Sequence, residues 1–160
     1  PYKKIKILIH PNSYLHALIK FNNGLIKLIA HDTTMEIPIF NSLFFKSSKK
    51  INSSQINIKK LNKLNFSSVS FKRYPIVKVL NSLPSKISLY ETVIVTTNDY
   101  LVDHFLKNKI KFNDISKNLF KIIKKKEFIK LKKKSPKNID EIMKLNKYVR
   151  LKIANFIYKS

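Results

Sequence analysis

A single glycine constrains this chain more than any other residue. Gly24 is the only one in the sequence and it follows Asn23. An Asn-Gly pair tolerates the positive φ that a tight hairpin turn demands. On its N-terminal side the residues alternate between two faces, with Leu15, Ala17, Ile19 and Phe21 on one and Tyr14, His16, Leu18 and Lys20 on the other. Leu25 to Ala30 then runs back as a second strand. The pattern predicts an antiparallel hairpin over 14–21 and 25–31, from which His16 projects at a fixed place.

The rest of the chain divides by composition and period. A strand is predicted over 4–10, and a short helix over 35–45 carries Ile39, Leu43 and Phe44 on its apolar face. Residues 1–46 thus read as an α+β portion, an antiparallel or mixed sheet segment with a hairpin. Residues 47–73 read as an extended linker, because Ser47-Ser48-Lys49-Lys50 and Asn52-Ser53-Ser54 follow neither period. Residues 74–160 read as a small α-helical domain. Pro75 suits a first helical turn and Pro84 limits that helix. A helix over 89–107 places Val93, Thr97, Leu101 and Phe105 on one stripe. Asn113 is the expected cap of the next, whose face is Ile115, Leu119, Ile122 and Ile123. The last helix starts after Ser135-Pro136, where Asn138 and Glu141 have capping-box spacing, and turns Ile142, Leu145, Val149, Ile153 and Phe156 inward.

Charge narrows the classes of partner. Lys and Arg total 33 against 9 Asp and Glu, a formal +24 over 160 residues, which ordinarily points to nucleic acid or an anionic surface. Yet Arg73 and Arg150 are the only arginines, and base readout and phosphate clamping favour the bidentate guanidinium. The joint excess of Lys, Asn, Ile and Phe points instead to a coding sequence drifting toward A and T. The run Lys121–Lys134 holds eight lysines among fourteen residues, interleaved with Ile122, Ile123, Phe128, Ile129 and Leu131. It reads either as a solvated helix end and loop or as a basic amphipathic surface for RNA or anionic lipid. Without cysteine, neither a disulfide nor a thiolate metal site can form. No apolar run approaches the roughly 18 residues that span a bilayer.

Few side chains carry chemistry. His16 is either a packed sheet histidine or an active-site imidazole, able to donate to a phosphorylated ligand near neutral pH. Ser13, which with His10 flanks the strand start, is either a local turn former or a hydrogen-bonding group. Asp99 and Asp103 share a helix face, but the adjacent His104 points about 100° away. Asp140-Glu141 suits a helix start, where acids complement the dipole. Neither grouping reads as a metal site, and no metal ligand is assigned within the chain.

Taken in order, these residues resemble a family. The run His10-Pro11-x-Ser13-x-x-His16, the hairpin at Gly24 and Met35-x-x-Pro38-Ile39 are similar to the end of the catalytic domain of 1-deoxy-D-xylulose 5-phosphate reductoisomerase. Leu64-Asn65-Phe66 and Phe71-Lys72-Arg73-Tyr74-Pro75 resemble the stretch leading into that family's C-terminal helical domain. Thr96-Thr97-Asn98-Asp99 falls where the family has Ala-Ala-Asn-Glu, and Phe105-Leu106, Ile110-x-Phe112 and Asp114-Ile115 keep its spacing.

The resemblance implies an NADPH-dependent oxidoreductase and isomerase of the non-mevalonate isoprenoid pathway, using magnesium or manganese. It implies that His16 is catalytic, that Ser13 and His16 line the pocket for a phosphorylated sugar, and that Met35 backs the nicotinamide ring. It also implies a homodimer without membrane attachment, in a plastid-type organelle or the cytoplasm of an AT-rich bacterium.

Two departures stand out. The family's Pro-Asp-Met is Thr33-Thr34-Met35 here, followed by Glu36 where a basic or polar residue is common. The family's complete enzyme is more than twice as long, with a nucleotide-binding domain, an Asp-x-Glu metal segment and a lid that are not found in these residues. A start at Pro1 directly in a strand points to a fragment or a processed product, with the metal ligands expected upstream and the 160 residues inactive alone. A second reading is a non-catalytic remnant held by its lysines in an RNA-rich assembly such as a ribosome.

Overall fold

The computed structural model of the protein describes residues 4–46 and 48–157. The chain forms two compact units. One is Ile7–Val69, and the other takes in the described residues from Ser70 onward and those before Ile7.

The first unit is built from two short antiparallel pairs. β1 (Leu8–Ile9) pairs with β4 (Ser67–Ser68), and β2 (Leu15–Lys20) and β3 (Ile26–Ala30) are the predicted hairpin. Gly24 adopts φ +87°, and no atom lies within 4 Å of where its Cβ would sit, so the backbone angle alone demands glycine. The turn closes through Phe21 N–H to the Leu25 carbonyl at 2.8 Å and Gly24 N–H to the Phe21 carbonyl at 3.1 Å. Asn23 adds its side-chain oxygen, which accepts from Leu25 N–H. Helix α1 (Glu36–Phe44) follows as predicted, although Ile39 and Leu43 on its apolar face are exposed.

Two readings of this unit change. The strand expected over 4–10 shrinks to Leu8–Ile9, because its partner β4 (Ser67–Ser68) is only two residues long and a strand extends no further than its ladder. The segment read as extended linker is tied down instead. It contains α2 (Ile58–Asn62), capped by the Asn57 side chain on Lys60 N–H at 2.9 Å, as well as β4. The buried Tyr14 hydroxyl accepts from Asn57 N–H at 3.1 Å, and the Asn12 amide donates to the Lys60 carbonyl at 3.4 Å. Side chains more than 40 residues away hold this stretch, which no local period reports.

The second unit is helical and has a dense core. It opens with a 3₁₀ helix (Pro75–Ser82), where the i to i+3 bond from Val77 N–H to Tyr74 carbonyl follows the proline start. α3 (Leu89–Leu106) is launched by a capping box: Tyr90 N–H donates to Ser88 Oγ and Ser88 N–H to the Glu91 carboxylate. α4 (Phe112–Ile123) starts before the expected cap. Asn113 lies inside its first turn, and Asp114 accepts from Lys111 N–H at 3.0 Å. A one-turn α5 (Lys126–Ile129) and a second 3₁₀ helix (Lys130–Lys133) lead to α6 (Ile139–Ile157). There Asn138 Oδ1 accepts from Glu141 N–H at 2.9 Å, while Glu141 reaches back to Lys137 N–H, one residue short of the box.

The predicted stripes meet. Tyr90, Val93 and Leu101 of α3 pack with Leu119, Ile122 and Ile123 of α4, Phe128 of α5, and Val149 and Ile153 of α6. The α3 stripe passes through buried Thr97 as read, but then continues to His104, stacked on Tyr100 with ring centroids 4.2 Å apart, while Phe105 is half-buried. The α3–α6 seam carries a polar link: Asn146 Nδ2 donates to the fully buried Thr96 Oγ1 at 2.8 Å and its Oδ1 accepts from Arg150 Nε at 3.0 Å.

The lysine-rich run is not one amphipathic helix. It breaks after α4 and folds across the start of α3, where Leu89 N–H donates to the Lys134 carbonyl at 2.7 Å. Ile122, Ile123 and Phe128 anchor it in the core. Lys132 lies 4.7 Å from the centre of the Tyr90 ring, and Lys134 pairs with Glu141 at 2.7 Å. Among the described residues no helix is long and apolar enough to cross a membrane.

Candidate functional site

The hairpin does more than present His16 on a flat face. Leu15 pairs with Ala30 and Ala17 with Ile29, so His16 is an extra residue with no cross-strand partner. A bulge of this kind interrupts the strict alternation read from the sequence and re-aims a side chain. The imidazole is exposed, and its ring lies flat on that of His31, with centroids 3.7 Å apart and planes 7° from parallel. Its Nε2 is 3.3 Å from the His31 carbonyl oxygen. A carbonyl only accepts, so Nε2 carries the hydrogen there and the neutral ring keeps Nδ1 as an open acceptor.

His31 is itself held from several sides. Its N–H donates to the carbonyl of buried Tyr14 at 3.1 Å, and its Nδ1 donates to the Asp32 carbonyl at 2.5 Å. The Asp32 carboxylate accepts from Ser54 N–H at 3.3 Å. Sequence reasoning passed over His31. The pairing of Leu15 with Ala30 would have placed it opposite Tyr14, beside the bulge, but the bulge is invisible to a period-two pattern.

The other predicted residues lie in the same unit. Ser13 is exposed, just ahead of β2. Met35 is 70 % exposed immediately before α1, so its side chain is not part of a core. Its carbonyl accepts from Ile39 N–H while its thioether stays open. His10 has a structural place: Nε2 lies 2.8 Å from the Leu15 carbonyl, and the ring meets the edge of Phe66.

The acidic groups of the helical unit are engaged elsewhere. The Lys107 ammonium, 2.8 Å from Asp103, holds that carboxyl below its ordinary value, and His104 Nδ1 faces the Tyr100 carbonyl at 3.0 Å. Lys134 and the Lys137 N–H likewise hold Glu141 low. Among the described residues no three His, Asp or Glu side chains converge, so these residues do not fit a divalent cation. Two clefts open in the helical unit. One, about 670 Å³, is lined by Phe71, Lys78, Tyr90, Phe120 and Lys132; the other, about 470 Å³, by Arg73, Tyr74, Asn98 and Phe112. Burial pushes the Tyr90 phenol up, and its hydroxyl donates to the Ile123 carbonyl at 3.1 Å. Neither cleft is lined by a carboxylate or a histidine.

A hairpin followed in the chain by a helical bundle has counterparts among known proteins. Residues 32–152 match the model of the DXP reductoisomerase C-terminal domain family. The 1-deoxy-D-xylulose 5-phosphate reductoisomerase of Pelagibacter ubique (strain HTCC1062) is 57% identical over 154 residues, covering 96% of this chain and 40% of that protein. That of Sulfurihydrogenibium sp. (strain YO3AOP1) is 31% identical over 131 residues, covering 82% of this chain and 35% of its own length. The fold is that of the reductoisomerase from Zymomonas mobilis solved in complex with NADPH, with a TM-score of 0.76 at 22% identity over 98% of this chain and 40% of that one. A DOX-P reductoisomerase solved with NADPH, fosmidomycin and magnesium gives a TM-score of 0.77 at 23% identity, covering 95% of this chain and 38% of that one.

The chain belongs to the 1-deoxy-D-xylulose 5-phosphate reductoisomerase family. It spans 40% or less of the length of these relatives.

Proposed function

We propose that this chain is the C-terminal part of an NADPH- and divalent-metal-dependent reductoisomerase that converts 1-deoxy-D-xylulose 5-phosphate to 2-C-methyl-D-erythritol 4-phosphate. The observation that carries this reading is the exposed, bulge-held His16 in a chain 57% identical to a relative of that name. In this scheme His16 Nδ1 accepts a hydrogen bond from a substrate hydroxyl, or donates one when the ring is protonated. Ser13, exposed ahead of the same strand, offers a hydroxyl that both donates and accepts.

Met35 fits the cofactor's nicotinamide end, because its open thioether is an adaptable apolar surface for a flat ring. NADPH, when bound, supplies the hydride that reduces the rearranged aldehyde. Thr33 and Thr34 ahead of Met35 leave that loop without the fixed φ a proline would impose. The described residues converge on no cation, so the magnesium or manganese ligands belong to a different part of the protein in this reading, and no step is assigned to the metal here.

The test is NADPH oxidation by the full-length protein with 1-deoxy-D-xylulose 5-phosphate and magnesium, with the product identified by mass spectrometry. Substrate-dependent oxidation yielding the branched polyol phosphate supports the reading. Its absence from a folded protein that binds NADPH overturns it.

A further inference from the structure

We infer that His31 is a positioning residue for His16: its ring fixes the plane of the His16 imidazole so that Nδ1 faces a hydroxyl of the sugar phosphate as an acceptor. The substrate in this statement rests on the reductoisomerase reading; the ring pair rests on geometry alone.

An exposed imidazole at a bulge has little to hold it. No residue stands across the strand from His16, and the second side-chain torsion of a histidine is broad. Left alone, the ring would turn about that torsion and offer either nitrogen to a ligand. The parallel ring of His31 at 3.7 Å blocks that rotation, since turning His16 out of the stack would drive its edge into the neighbouring face. With the plane fixed, Nε2 stays against the His31 carbonyl at 3.3 Å and Nδ1 is the nitrogen left for a ligand.

The support for His31 runs inward. Its N–H is bonded to the carbonyl of Tyr14, whose buried side chain holds Asn57 N–H. Its Nδ1 is bonded to the Asp32 carbonyl, and the Asp32 carboxylate receives Ser54 N–H. A single exposed side chain is thus linked through His31 to the buried base of the hairpin. This pre-organisation leaves less ordering to be done when substrate arrives.

The test uses the full-length protein in four forms: His31→Ala, His31→Phe, His16→Ala and the double alanine variant. With histidine ring nitrogens labelled and the His16 signal assigned by its loss in His16→Ala, NMR should show the His16 ring protons shifted upfield by the stacked ring. His31→Ala should abolish that shift and His31→Phe, which keeps a flat ring, should retain it. In turnover, His31→Ala should lower kcat about 5- to 10-fold with KM for NADPH changed less than about twofold. His31→Phe should recover to within about twofold of the parent, and the double variant should be no slower than His16→Ala, because both substitutions remove one function.

An unshifted His16 ring in the parent, an unchanged kcat in His31→Ala, or an additive loss in the double variant overturns the inference. A parent that shows the upfield shift but no turnover overturns the reductoisomerase reading, and with it the sugar hydroxyl, while leaving the ring pair standing. The two failures are therefore told apart by the same set of proteins.

Discussion

The two units of this chain are stabilised by different means. In the helical unit, Val93, Leu101, Leu119, Val149 and Ile153 are all 0% exposed, each contributed to one core by a helix whose partners lie within the same unit. In the hairpin unit, Ile19, Ile26, Leu28 and Ile29 stand 41 to 54 % exposed, and among the described residues only Tyr14 and Leu15 are buried. Turn geometry, a bulge and side-chain hydrogen bonds shape it instead. The lesson is that apolar periodicity reports secondary structure in both units but reports burial only where other elements of the same unit cover the apolar face.

The sharpest way to break this contrast is to cut one methyl-rich side chain from each unit. Leu119→Ala should destabilise the chain by about 2–5 kcal/mol in denaturant unfolding, since it leaves a cavity in a fully packed core. Leu28→Ala, removing an exposed side chain, should change stability by less than about 0.5 kcal/mol. Equal losses would erase the distinction between the units.

The next effect tests the α3–α6 seam. Asn146→Ala strands the hydroxyl of fully buried Thr96 without its donor, and should cost about 1–3 kcal/mol. Pairing it with Thr96→Val should recover part of that loss, because no polar atom is then left unsatisfied. A double variant as unstable as the sum of the singles would show that the bond contributes no coupling.

In the hairpin unit the expected losses are functional rather than structural. His16→Ala in the full-length protein should reduce kcat/KM at least about 10-fold, or about 1.4 kcal/mol of transition-state stabilisation. Its melting temperature should barely move, as the ring is exposed. A variant that melts early but turns over normally would return His16 to a packing role.

The smallest effect belongs to the clasp at the start of α6. Lys134 and the Lys137 N–H depress the Glu141 pKa, so the carboxylate stabilises the folded state fully above the ordinary glutamate value. That contribution is lost as pH falls through the depressed value. Glu141→Gln should therefore flatten the acid side of the stability profile slightly while leaving it unchanged in shape at neutral pH; parallel profiles for parent and variant would dismiss the clasp.

How far the residues themselves announced this structure differs by element. The span of α3 is legible because Ser88 through Glu91 supplies its own cap and Val93, Thr97 and Leu101 repeat at helical spacing. The hairpin turn is legible because only glycine accepts φ +87° there without strain. The start of α4 is not, since Asn113 looks like a cap while Asp114 captures the backbone two residues before it. The extent of β1 is not, because it depends on Ser67 and Ser68, nearly 60 residues away.

At the candidate site the division is the same. The local pattern alone places His16 on the first strand of a hairpin and Met35 beyond its second, because period and turn chemistry act between neighbours in the chain. The strand register is another matter. A ladder can gain one residue at almost no local signal, so the bulge that frees His16 and the ring of His31 that lies against it follow only from how β2 and β3 pair. The hairpin turn, the span of α3 and the apolar stripes follow from the sequence alone, through interactions within a few residues. Which apolar faces are covered, which strands end early and which side chain stands against His16 were decided by the tertiary structure, because those contacts join residues that only folding brings together.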